Sequence, residues 1–123
     1  MDGYLAAMRK YATFSGRSRR GEYWVFHLVF VVLSIAASLL DLLIFQTGLD
    51  HQGPIGAVVL LAHLIPSFAV SVRRLHDIDR TGWWLLLEFT IIGALVLLIF
   101  AMQRGTAGFN RYGSDPLATP AAA

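Results

Sequence analysis

The sequence predicts an all-α membrane protein that has three transmembrane helices and a short amphipathic helix at its N-terminus. Of the 123 residues, 56% are hydrophobic and 15% are charged, whereas soluble domains carry about 25% charged residues. Three apolar segments, at 23–45, 55–72 and 83–102, are each long enough to cross the hydrocarbon, which takes about 20 helical residues. None of them carries the polar stripe, with a spacing of about 3.6 residues, that marks a soluble helix.

Helices are predicted for these segments because a backbone that faces lipid has to satisfy its own hydrogen bonds. A transmembrane barrel does not fit, since barrel strands are about 10 residues long and alternate polar and apolar side chains. A soluble helical bundle is the competing interpretation, and continuous apolar runs such as residues 91–99 argue against it.

Residues 1–22 are predicted to form a cytoplasmic N-terminal segment that contains an amphipathic helix at 2–12. Such a helix either lies in the headgroup layer of the membrane or packs on the transmembrane bundle as an ordinary cytoplasmic helix. Glycines and serines between 13 and 21 are expected to end it before the first span. The side chains that recur at helical spacing on one side of it are Tyr4, Leu5, Met8, Tyr11 and Ala12.

The distribution of lysine and arginine predicts a cytoplasmic N-terminus. Five of the ten basic residues precede the first span, none lies between the first and second spans, three lie in a basic loop at 73–82, and two follow the third span. Loops rich in Lys and Arg stay in the cytoplasm, so the loop at 73–82 faces inward and the loop at 48–53 faces outward. With three spans the C-terminal tail, 103–123, also faces outward, and its end is predicted to be disordered.

A second topology stays open for the third segment. Gly93 lies near the middle of this segment, and a hairpin that turns back at residues 92–93 would return the tail to the cytoplasmic side. The two arms of such a hairpin would be about nine residues each, which is too short to span the bilayer without cover from other parts of a protein.

Three motifs together resemble the bacterial inner-membrane family known as Domain of Unknown Function 805, over about residues 4–116. They are FSGRSRRGEYW at 14–24, RRLHD followed by RTGWW at 73–84, and GFNRYGSDP at 108–116. The resemblance implies a small integral protein of the bacterial cytoplasmic membrane, and it assigns no catalytic residues. Many members of the family carry a proline in the third segment near position 91, where this chain has isoleucine. This difference argues against a broken third helix.

Polar residues at the predicted cytoplasmic face form the main candidate site. They lie at the same depth before the first span and after the second, and arginine pairs with carboxylates through two parallel hydrogen bonds. Either an ion-pair lattice closes the bundle there, or the arginines bind a lipid headgroup or a small phosphorylated ligand. The candidate anion or headgroup contacts are Arg17, Arg20, Arg73, Arg74 and Arg80, and the candidate network partners are Glu22, His76, Asp77 and Glu88.

Two ionisable residues inside the predicted spans, Asp41 and His63, are further candidates, because charge in the hydrocarbon is rare and tends to mark function. Asp41 is close enough to the outer end of its span to extend outward. His63, three residues before Pro66, can equally bond a neighbouring helix.

We expect no metal site, since the four histidines lie at different depths and the chain has no cysteine. No cofactor is expected, because no phosphate-binding loop is present.

These observations predict a structural or interaction protein rather than an enzyme. Catalysis by His76 with Asp77 is not expected, because neighbours in sequence do not face each other on a helix. Small residues at 34–38 offer a face for close packing, so the expected partners are a second copy or another membrane protein, together with anionic phospholipids of the bilayer. No nucleic-acid partner is expected. The alternative is a channel or transporter component in which Asp41, His63 and Glu88 form a polar path.

Overall fold

The computed structural model describes residues 2–48 and 50–117, and within these ranges every regular element is helical. This confirms the all-α class. The fold consists of a long helical pair, a short N-terminal helix packed on it, and a helical hairpin near the C-terminus. The elements in chain order are α1 (Asp2–Arg9), α2 (Arg20–Phe45), α3 (Pro54–Asp77), a 3-10 helix (Gly82–Phe89) and α4 (Ile91–Met102).

Helices α2 and α3 form an antiparallel pair, and both are long and apolar enough to cross a membrane. They contain 26 and 24 residues, or about 39 and 36 Å at 1.5 Å per residue. Asp41 fixes the connection between them, because its buried carboxylate accepts hydrogen bonds from the amides of Ile55 and Gly56 at 2.9 and 2.8 Å. The carboxylate thus caps the N-terminus of α3, where unpaired amides and the helix dipole favour negative charge.

Helix α1 packs on α2 and α3. Ala7 is fully buried in a cluster with Phe26 and Val70. Gly3 approaches the backbone of α2 so closely that a Cβ there would lie 2.9 Å from the carbonyl oxygen of Gly21. The helix ends at Arg9, earlier than predicted.

The predicted third span, 83–102, is not a single helix, so the three-span count is not confirmed. The chain forms the 3-10 helix, becomes extended at Thr90 and starts again as α4. The Oγ1 atom of Thr90 accepts a hydrogen bond from the amide of Gly93 and donates one to the carbonyl of Leu87, both at 2.9 Å. A threonine cap therefore breaks the segment, and the expectation of an unbroken helix in the absence of proline is wrong.

The two arms of this segment pack on each other and return to the same end of the molecule. The ring centroids of Trp84 and Phe100 lie 5.5 Å apart. Close to the start of α2, the indole of Trp24 donates a hydrogen bond to the carbonyl of Ala101 at 3.1 Å. The segment thus folds as a hairpin, with its turn at Thr90 rather than at 92–93.

Both segments predicted to be irregular at this end of the molecule are more structured than expected. The basic loop predicted at 73–82 begins as the last turn of α3, which continues to Asp77. Residues 103–117 of the predicted tail fold back against that turn, where the amide of Thr106 donates to the carbonyl of Asp77 at 2.7 Å. The disorder predicted for the end of the tail concerns mainly residues 118–123, which lie outside the described residues.

Candidate functional site

A buried ion-pair cluster joins the N-terminal segment to the end of α3. The Nε atom of Arg17 donates to one oxygen of Asp77 at 2.9 Å, and Arg74, one helical turn before Asp77, donates to the other oxygen. The Asp77 side chain is only 2% exposed, and both guanidinium groups are equally buried. We call Arg17, Arg74 and Asp77 the arginine clasp.

The arginine clasp also holds the tail, through backbone carbonyls. Arg17 donates to the carbonyl oxygens of Gly108 and Gly113 at 2.6 and 3.2 Å, and it also donates to that of Thr106. Arg74 reaches the carbonyl of Gln103. The tail approaches closely because Gly105 has no side chain, and a Cβ at this position would collide with the Asp77 carboxylate.

The charges of the clasp explain why it recruits carbonyl oxygens. Two guanidinium groups share one carboxylate, so Asp77 leaves one positive charge uncompensated. Arginine has five N–H donors and no acceptor, and a buried donor without a partner is costly. Carbonyl oxygens of the tail bind the remaining donors of Arg17 and one donor of Arg74, which also donates to the carbonyls of Ala101 and Ser18. Folding of the tail and burial of the two arginines therefore stabilise each other.

A second buried pair lies beside the clasp. Arg73 is fully buried, and its Nη1 atom donates to Glu22 at 2.8 Å, which ties the last turns of α3 to the first turn of α2. The carbonyl of Arg73 accepts a hydrogen bond from the amide of Ser18 at 3.0 Å. The predicted meeting of the segment before α2 with the end of α3 therefore occurs through two separate ion pairs.

His76 contacts the N-terminal segment and the tail. Its Nδ1 atom lies 2.9 Å from the carbonyl oxygen of Gly16. Its ring stacks on Tyr112 with centroids 3.9 Å apart, and its carbonyl accepts a hydrogen bond from the side chain of Asn110. Among the described residues, the imidazole makes no hydrogen bond to the carboxylate of Asp77.

The remaining candidate cations make weaker contacts. Arg20 is exposed and donates to the carbonyl of Met102 at 3.2 Å. The guanidinium of Arg80 lies 4.8 and 4.4 Å from the ring centroids of Trp84 and Phe100, which is cation–π distance. Of the five candidate anion contacts, Arg17, Arg73 and Arg74 are therefore engaged internally, and Arg20 is the exposed one.

The three residues of the predicted polar path contact different partners. Asp41 caps α3, and His63 is buried with its Nε2 atom 2.9 Å from the hydroxyl of Tyr4 and its Nδ1 atom 2.8 Å from the carbonyl oxygen of Val59. Glu88 was predicted to be a partner of the arginines. It forms no ion pair or hydrogen bond with the described residues, so it is not part of the clasp. It lines a small cavity of about 30 Å³ together with Tyr23, Ser71 and Arg74.

The surface of the tail carries two further polar contacts. The carboxylate of Asp115 accepts hydrogen bonds from the amides of Leu117 and Gly108 at 2.9 and 3.0 Å, and these bonds hold its pKa below the ordinary value. Arg111 donates to Asp79, and this hydrogen bond raises the pKa of the guanidinium.

Within residues 2–48 and 50–117, no group of three or more His, Asp and Glu side chains could hold a metal ion.

Comparison with known proteins identifies the family. The family model described as "Protein of unknown function (DUF805)" matches residues 11–114, which include the whole clasp and the carbonyls that it binds. The chain belongs to the DUF805 family. The resemblance predicted from the three motifs is thereby confirmed.

The relatives include two proteins of similar length from Escherichia coli K12. "Inner membrane protein YhaH" is 40% identical over 98% of this chain and 100% of its own length, and "Inner membrane protein YhaI" is 44% identical over 94% and 96%. "Uncharacterized protein YiiR" of the same strain is 28% identical over 84% and 85%. No solved structure matches the chain.

Sequence reasoning missed the part that the tail plays in this DUF805 site. Asn110 and Asp115 both accept hydrogen bonds from backbone amides within the tail. Sequence reasoning did not foresee that the carbonyls of residues 103–113 would bind Arg17 and Arg74. Backbone carbonyls leave no residue-specific signal, and the available hint was the number of glycines between 105 and 113.

Proposed function

We propose that this chain is a multi-pass, integral protein of the bacterial inner membrane that acts as a structural or interaction protein and not as an enzyme. The observation that supports this role is the closed state of the arginine clasp. Three of the five candidate ligand-binding arginines are buried and paired with Asp77 or Glu22. The Nε and Nη2 atoms of Arg73 have no partner among the described residues, but they too are buried. A site that binds a ligand or turns over a substrate needs polar groups free to contact it.

The membrane assignment rests on the surface of the long helical pair and on the relatives. Along α2 and α3, large apolar side chains such as Leu28, Leu43, Val58 and Leu61 are exposed. An apolar surface that extends along two long helices is unfavourable in water and favourable in contact with lipid. Two relatives that match nearly the whole chain are named as inner membrane proteins.

The proposed orientation places the clasp in the cytoplasm. The clasp brings together the N-terminal segment, the end of α3 and the tail. These three regions and the turn that follows α3 carry all ten lysines and arginines. The described part of the loop at 46–53 carries none of them. Basic segments stay in the cytoplasm, so both chain ends are cytoplasmic and the loop between α2 and α3 is periplasmic.

Anionic phospholipids are the proposed lipid partners, and the exposed arginines are their contacts. Arg19 and Arg20 lie at the start of α2, where a headgroup phosphate can reach them. We expect the purified protein to retain phosphatidylglycerol in preference to phosphatidylcholine in native mass spectrometry, and we expect Arg20→Gln to weaken this preference. Equal retention of the two lipids by the unchanged protein would contradict the assignment.

The interaction role is tested by chemical crosslinking in native membranes at normal expression level. We expect a species larger than the monomer, because the two long helices alone leave most of their apolar surface uncovered. The matched control is the same membrane solubilised in a strong detergent before crosslinking, which should give the monomer. A monomer under both conditions would exclude a stable protein partner.

A further inference from the structure

Glu88 is the one ionisable residue of the C-terminal hairpin, Gly82–Met102, and it is exposed in the single chain. A 3-10 helix rises about 2 Å per residue, so Glu88 lies about 12 Å beyond Gly82 toward the turn at Thr90. In the inserted protein this arm runs into the hydrocarbon, where an ionisable side chain is rare and needs a polar partner. Glu88 therefore requires an explanation that the clasp itself does not give.

A small polar cavity supplies such partners. It has a volume of about 30 Å³ and lies between α2, α3 and both arms of the hairpin, and its polar wall consists of Glu88, Tyr23, Ser71 and Arg74. The side chain of Tyr23 lies within interaction range of the other three, so it can link Glu88 to Arg74. A water molecule needs about 10–15 Å³ and two to four polar partners, and this cavity provides both.

The charge of the clasp favours a carboxylate at this cavity. Arg17, Arg74 and Asp77 together carry one uncompensated positive charge, and Glu88 would bring the sum to zero. Arginine has five N–H donors, and the four hydrogen bonds of Arg74 to the described residues leave one of them available. A buried charge without compensation is unfavourable, so a path from Glu88 to Arg74 stabilises both groups.

Other partners fit Glu88 less well. His27 also lies within interaction range of Glu88, but its Nδ1 atom is 2.8 Å from the carbonyl oxygen of Tyr23 and its Nε2 atom is 3.3 Å from the hydroxyl of Ser67. Arg74 disfavours a cation in the cavity, and Glu88 disfavours an anion. A neutral polar molecule of the size of water is therefore the ligand that matches the site.

We propose that water in this cavity, together with the Tyr23 hydroxyl, joins the carboxylate of Glu88 to the guanidinium of Arg74. Glu88 is then the second counter-charge of the clasp and holds the hairpin to it. This inference rests on the proposed membrane insertion, which gives the carboxylate its need for a partner.

Thermal unfolding of the purified protein in lipid nanodiscs tests the link through the sign of one substitution. Glu88→Gln keeps the size of the side chain and removes its charge. We expect the unfolding temperature to fall, because the clasp loses its second counter-charge. A carboxylate without a partner in lipid would give the opposite sign, so an unchanged or higher temperature would overturn the proposal. Asp50→Asn makes the same chemical change in an exposed loop and should have no effect.

Two hydroxyl variants test the cavity separately from the charge. Ser71→Ala and Tyr23→Phe each remove one hydroxyl from its wall and leave the residues of the clasp unchanged. The effect of Glu88→Gln should become smaller in either background, since groups of one hydrogen-bond network are not additive. Tyr11→Phe is the control, because its hydroxyl donates to the carbonyl of Ala62 instead.

The outcomes separate this link from the proposed function. Full additivity of Glu88→Gln with both hydroxyl variants, in chains that resist alkaline extraction, would overturn the link through the cavity and leave the membrane assignment standing. Release of the unchanged protein by alkaline extraction would overturn the membrane assignment, and the inference with it.

Discussion

Asp77 is the residue on which three segments of the chain converge. Its side chain pairs with Arg17 from the N-terminal segment and with Arg74 from its own helix, and its carbonyl accepts a bond from Thr106 of the tail. Two buried guanidinium groups without a counter-charge would be strongly unfavourable. The carboxylate is thus what allows both arginines to be buried at all.

We expect Asp77→Asn to destabilise the protein by about 3–5 kcal/mol, the usual cost of removing one partner of a buried ion pair. Thermal unfolding in a mild detergent measures this effect. Trypsin should also cleave the variant faster at Arg104 and Arg111, because the carbonyls of the tail lose their partners when the arginines rearrange.

Asp79→Asn is the matched control, two residues away. Asp79 pairs with Arg111 at the surface, and exposed pairs contribute little to stability. Asn also tolerates the left-handed backbone that Asp79 adopts, with φ of 60°. Equal destabilisation by the two substitutions would contradict the role assigned to the clasp.

The tail turn at Asp115 is expected to depend on pH. Because its folded pKa lies below the ordinary value of 3.8, the carboxylate stabilises the turn fully above that value and loses this contribution as the pH falls through the lowered pKa. The amide resonances of Gly108 and Leu117 should therefore shift together in an NMR titration below pH 4. The same shift in Asp115→Asn would assign the transition to another group.

Thr90 divides the third apolar segment into two arms that neither composition nor length reveals. A hydroxyl that accepts from the Gly93 amide and donates to the Leu87 carbonyl satisfies the backbone at the break. Gly93 is required beside it, since a Cβ there would collide with the Leu87 carbonyl. Sequence analysis placed weight on the absence of proline and overlooked this pairing of threonine with glycine.

We expect Thr90→Val to destabilise the hairpin by about 1 kcal/mol, because valine keeps the shape of threonine and removes the cap. Hydrogen exchange at the Gly93 amide should become faster. Thr90→Ser keeps a hydroxyl and should retain most of the protection. Unchanged exchange in the valine variant would mean that the cap does not hold the break.

The arrangement of the whole molecule could be predicted only where it depends on composition. Apolar length located α2 and α3. Charge counting placed eight of the ten basic residues at one end and assigned Arg104 and Arg111 to the other, whereas the tail folds back to the clasp end. The common depth of the polar residues before α2 and at the end of α3 predicted either an ion-pair lattice or a bound anion, and Arg17 and Arg73 do pair with carboxylates. The path of the tail could not be predicted, because it depends on backbone carbonyls and on the space left by Gly105.

Paired reporter fusions test whether the tail and the loop between α2 and α3 lie on opposite sides of the membrane. Green fluorescent protein folds in the cytoplasm and alkaline phosphatase is active only in the periplasm, so each reporter is fused after residue 117 and, separately, inserted in the loop at 50–52. We predict fluorescence without phosphatase activity for the C-terminal fusion, and phosphatase activity without fluorescence for the loop. Phosphatase activity at the C-terminus would mean that the third segment crosses the bilayer, which contradicts a clasp that joins Arg17 to the tail.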